Sequence, residues 1–63
     1  MKKQDKLYYV VTEQMLKGVH TKQVYFVRYK NDMEMLTDMN DPEANEIVIF
    51  YKEVMKWQTI YLH

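Results

Sequence analysis

Three segments of this chain, LYYVVT at residues 7–12, VYFVRYK at 24–30 and IVIFY at 47–51, are β-branched and aromatic almost throughout. Such side chains suit a pleated strand and lose rotamer freedom in a helix, so strands are expected at 7–13, 24–30 and 46–51. In each strand both alternating sets are apolar: Leu7, Tyr9 and Val11 against Tyr8 and Val10; Val24 and Phe26 against Tyr25, Val27 and Tyr29; Ile47, Ile49 and Tyr51 against Val48 and Phe50. A strand with one wet face alternates apolar with polar residues, whereas continuous apolar runs belong to strands covered on both sides. The sheet therefore needs a cover on each face.

The remaining elements follow from local signals. MLKGVHTKQ, with the chain's only glycine, reads as a loop or wide turn centred on Lys17-Gly18, and Asn31-Asp32 marks a turn. The second half admits two readings. Asp41 as a cap and Pro42 at a first helical position would start one helix running from 42 to 62. The run Ile47–Tyr51 opposes this, because Ile49, Phe50, Trp57 and Ile60 would leave the buried face. The preferred reading is a strand at 46–51 and a helix only from Lys52 onward, with Val54, Met55, Trp57, Gln58, Tyr61 and Leu62 on its inner side. Asp41-Pro42-Glu43 then becomes a single helical turn or a plain turn. The expected class is α+β: one small domain over 1–63, with a three-stranded antiparallel sheet, a candidate fourth strand at 33–36, and one C-terminal helix packed on one face.

One helix cannot cover two sheet faces, so the second face is expected to meet another copy of the chain, a partner, or the acidic segment folded back. Size adds to this demand. A 63-residue domain buries only about 60% of the surface its unfolded chain exposes. With no cysteine, neither a disulfide nor a thiolate zinc site can supplement the core. A homodimer or an obligate partner is the expected outcome. No apolar run exceeds five residues, against roughly 20 for a membrane helix, so a cytoplasmic protein without a membrane role is expected. Eight lysines to one arginine, with many Met, Tyr, Asn and Ile, fit an A/T-rich genome such as that of a low-GC bacterium or its phage. Met1 and the absence of a tag-like segment fit a complete small gene product.

Most catalytic chemistry has no carrier here. The chain lacks Ser and Cys, and its four threonines have no recognisable base beside them. No glycine-rich loop is present to cradle a phosphate. His20 reads as an exposed loop residue and His63 is terminal. No enzyme, cofactor or metal is expected. The acidic stretch also fails as a calcium loop: counting from Asp32 puts Leu36 and Thr37 at the fifth and sixth positions, and counting from Asp38 puts Pro42 and Glu43 there.

That stretch, NDMEMLTDMNDPEANE at 31–46, carries six carboxylates and no Lys or Arg. The zero net charge of the chain hides a split, +5 over residues 1–30 and −5 over 31–63. The bland readings are a solvated connection, or pairing with the basic first half. The functional reading is a face whose spaced carboxylates imitate phosphates and occupy a basic, nucleic-acid-binding groove on a larger protein. Asp32, Glu34, Asp38, Asp41, Glu43 and Glu46 would supply the charge, and Met33, Met35 and Met39 adaptable apolar contact. The first expectation is thus a non-enzymatic inhibitor or adaptor of phage or mobile-element type, directed at a partner such as a nuclease or defence enzyme. The competing expectation is a single-stranded nucleic-acid binder using Tyr25, Arg28, Tyr29 and Lys30. Zero net charge disfavours it. A third is a structural homodimer without a catalytic role.

Overall fold

A computed structural model describes residues 5–55. Its elements run β1 (Lys6–Leu16), β2 (Val19–Tyr29), α1 (Asp32–Met39), a 3-10 turn (Pro42–Ala44) and β3 (Glu46–Val54). The three strands form one antiparallel sheet in the order β2-β1-β3, and α1 packs against it, a small α+β domain. Chain and sheet order differ because α1 carries the chain across β1 from one edge to the other.

The helix that packs on the sheet is residues 32–39, where sequence reasoning placed a candidate fourth strand at 33–36. Asn31 makes the difference. Its side chain accepts from the Glu34 backbone N–H at 2.9 Å, satisfying a donor the helix start leaves open, while the Glu34 carboxylate reaches back to accept from the N–H of Lys30, just before the cap, at 2.9 Å. The helix expected from Lys52 onward is corrected over its first turn: Lys52, Glu53 and Val54 continue β3, opposite Tyr9, Tyr8 and Leu7. The rest of that expectation lies outside the described residues.

The wide loop at Lys17-Gly18 is also corrected. Leu16 pairs with Val19, leaving a two-residue turn in which Lys17 (φ 54) and Gly18 (φ 81) are both left-handed. This backbone twist matches that of the flanking strands, so pairing continues through Met15↔His20 and places His20 on a strand. On the opposite side of β1 the register shifts: Val11 pairs with Phe50 and Thr12 with Val48, leaving Ile49 as an extra residue, a β-bulge.

Register sorts the side chains onto two faces. Under α1 lie Tyr8, Val10 and Thr12 of β1, Tyr25, Val27 and Tyr29 of β2, and Val48 and Tyr51 of β3. Tyr8, Val10 and Met35 are the fully buried apolar residues among those described. The other face carries Leu7, Tyr9 and Val11 with Val24, Phe26, Ile47, Phe50 and Val54, and no described element lies over it. The thinnest dimension is 13 Å, room for a sheet and one helix at the usual layer spacing of about 10 Å.

Candidate functional site

Residues 31–46 build one surface, with each part held by a separate local device. Asn31 and Glu34 fix the start of α1, and Met35 is its buried anchor. The Asn40 amide donates to the Leu36 carbonyl at 2.8 Å and its oxygen accepts from the Val48 N–H at 2.8 Å, which ties the helix end to β3. Asp41 caps the 3-10 turn, accepting from the N–H groups of Glu43 and Ala44 at 3.2 and 3.3 Å. Asn45, at φ 55, turns the chain into β3.

Tyrosine hydroxyls meet the carboxylates from below. Asp32 accepts long contacts from Tyr8 and Tyr51, at 3.3 and 3.4 Å. Tyr29 donates to Asp38 with its oxygen 3.6 Å from the Met39 sulfur. Glu46 Oε2 accepts from Thr12 at 2.6 Å and from Tyr25 at 3.0 Å. The Tyr25 oxygen also lies 2.5 Å from Gln23 Oε1, so a single phenol proton is shared between two acceptors.

These anions hold the phenols neutral. The hydrogen bond to Asp38, then burial, then the charges of Asp38 and Glu34 push Tyr29 up to about 12. The bond to Glu46 followed by burial raises Tyr25, and burial followed by the Asp32 charge raises Tyr8. A phenol raised by folding stabilises the fold fully below its unfolded value of 10.0 and loses that contribution as pH climbs through its folded value. Stability is therefore expected to be level to about pH 10 and to fall toward pH 12. Near-ultraviolet phenolate absorbance checks this. The latest-titrating tyrosine of the folded protein should be lost in Tyr29→Phe, whereas normal titration of every tyrosine contradicts the geometry.

No described cation neutralises these carboxylates. Among the described residues Lys6 pairs with Glu53 at 4.0 Å and the His20 ring meets Glu13 at 3.0 Å, and neither contact involves the six acids of 31–46. Pairing with the basic first half is thus not found among the described residues. Their charge works against the helix at one end: Asp32 and Glu34 suit its N-terminus, but Asp38 sits in a last turn with no basic residue, where the macrodipole disfavours an anion by about 0.3–1 kcal/mol.

Not every expected contact residue reaches the surface. Met35 is corrected: it is fully buried in the core and cannot touch a partner. Met39 is half-buried against Tyr29, while Met33 is 76% exposed. Glu46 is half-buried and serves the interior, whereas Asp32, Glu34, Asp38, Asp41 and Glu43 are exposed. The alternative nucleic-acid set is divided by the sheet. Tyr25 and Tyr29 face α1 with their hydroxyls occupied, Arg28 pairs with Leu7 on the opposite face, and Lys30 follows the strand end. They form no common platform.

Elsewhere an open cleft of about 330 Å³ lies between Glu13, Met15, His20, Pro42, Asn45 and Ile47. Its His20 Nδ1 meets Glu13 Oε2 at 3.0 Å. Among the described residues no three His, Asp or Glu side chains gather as metal ligands, and no helix is long and apolar enough to cross a membrane.

The fold and surface together define a small α+β domain with an acidic helical side and an apolar side that no described element covers. Compared with protein-family models, curated proteins and solved structures, the chain gives no match.

Proposed function

We propose that this protein is a non-enzymatic binding module whose acidic surface occupies a basic, nucleic-acid-binding groove on a larger protein. The observation that supports this reading is the set of exposed carboxylates at 32, 34, 38 and 41, held by caps and tyrosine hydroxyls, with the exposed Glu43 beside them, all paired with no described cation. Fixed anions bind a cationic groove without an ordering cost and gain a fast, salt-dependent on-rate. A solubilising loop needs neither fixed positions nor an aspartate opposed to the helix dipole. Met33 adds an exposed, adaptable apolar contact among the charges. The surface acts as an imitation of a phosphate backbone. An inhibitor or adaptor of phage or mobile-element type, working in the cytoplasm on a nuclease or defence enzyme, is the role that suits it.

The test retains the hydrogen bonds while removing the charge. Asp38→Asn keeps an acceptor for Tyr29, Asp41→Asn keeps the cap, and Glu43→Gln alters an exposed side chain. Immobilised wild-type protein should retain basic nucleic-acid enzymes from a bacterial lysate and release them with salt, and the triple variant should bind them roughly tenfold or more weakly at low salt. Equal retention by the variant, or retention indifferent to salt, overturns the reading.

A further inference from the structure

We infer that the sheet face opposite α1, which no described element covers, is a dimer interface, closed by the same face of a second copy. Its centre is formed by Leu7, Tyr9 and Val11 of β1, flanked by Val24 and Phe26 on β2 and by Phe50 on β3. Phe26 is 64% exposed, Val24 55% and Phe50 51%. Tyr9 binds this cluster together, with ring centroids 5.4 Å from Phe26 and 6.1 Å from Phe50.

Area decides the occupant. Strands of 11, 11 and 9 residues span about 500 Å² of flat sheet at about 16 Å² per residue. Two such faces in contact bury about 1,000 Å² before side-chain relief is counted, which reaches the range of roughly 1,200–2,000 Å² typical of stable interfaces once relief is included. A second copy presents a face of the same extent and the same apolar character.

The chemistry of the face agrees. Its central strand is uncharged from Leu7 to Val11, and the cations Lys22, Arg28 and Lys52 stand on the two edge strands. Long side chains at an edge can bury their stems and keep their charges in water, giving the apolar core and polar rim of an interface. Single-stranded nucleic acid fits less well. Leu7, Val11, Val24, Ile47 and Val54 offer no stacking surface, and the rings meet one another edge-on at 62° and 73°.

Sedimentation equilibrium on the full chain tests the inference. At tens of micromolar the wild type should weigh twice its 7.8 kDa chain mass. Phe26→Lys and Phe50→Lys, on different strands and at exposed sites, should each weaken association about thirtyfold or more with unchanged far-ultraviolet circular dichroism. Thr37→Lys, exposed on the helix side, should leave the dimer intact. A monomeric wild type overturns the inference, and if that monomer shifts a labelled single-stranded oligonucleotide, nucleic acid is the occupant instead. A dimer that survives both phenylalanine changes, or dissociates only with Thr37→Lys, overturns it as well. Neither outcome bears on the acidic surface, so this proposal and the proposed function fail separately.

Discussion

Met35→Ala is expected to cost about 2–5 kcal/mol, the range for truncating a buried methionine. A domain of 63 residues has roughly 3–9 kcal/mol of stability in all, so the variant should lose a large share of its stability. The loss is severe because α1 has only eight residues, fewer than the roughly 12–15 an isolated helix needs. It holds its shape by packing, and Met35 is its one fully buried residue. Urea denaturation followed by circular dichroism measures the effect. Met33→Ala, two residues away and exposed, should stay within about 0.5 kcal/mol of wild type. Equal effects at the two methionines would mean that the helix is docked differently.

Glu46→Ala is expected to cost about 1–3 kcal/mol for a different reason. The carboxylate accepts from Thr12 and Tyr25, and Thr12 is fully buried. Removing the acceptor leaves a buried hydroxyl without a partner, which costs more than the bond contributes when made. Glu46→Gln keeps an oxygen and should recover much of the stability. Thr12→Val combined with Glu46→Ala should be less damaging than the two separate losses added together, because the first change removes the stranded donor. Strict additivity would contradict the geometry. The same measurement separates Glu46 from the exposed acids, whose neutralisation should alter binding and leave stability nearly unchanged.

The strands were legible because their chemistry is uniform. Tyr8 and Val10 are as apolar as Leu7, Tyr9 and Val11, and that pattern foretold a sheet needing cover on both faces. The hairpin turn was legible in place, at Lys17-Gly18, but not in its two-residue length, since the residue at its first position is Lys17 and not the asparagine usual there. The strand ends were hidden for a related reason: Met15, His20, Lys52 and Glu53 carry little β preference and are held by pairing across to neighbours. Helix α1 had a readable signal in Asn31 and Glu34, three residues apart. Its short length and three threonine or aspartate residues obscured it. The burial of Met35 was readable once the helix is granted, because positions 35, 36 and 39 share one side and 33 does not.

The strand order carries a consequence for how the molecule is assembled. Strands β1 and β2 are joined by two residues and pair from Leu16↔Val19 outward, so their contacts are local and can close on the microsecond scale of a hairpin. Strand β3 pairs with β1 from Leu7↔Val54 to Gln14↔Glu46, across the long chain separations that slow folding. Helix α1 lies between these two events in sequence and draws its support from both strands flanking β1. The hairpin is therefore expected to form first, with one edge of β1 still open to pair with another chain. Arrival of β3 closes that edge and locks Asn40 and Asp41 in place. On this order the acidic surface is expected to be the last of the described parts to take shape, so that a partner recognising it would select chains in which β3 has already docked.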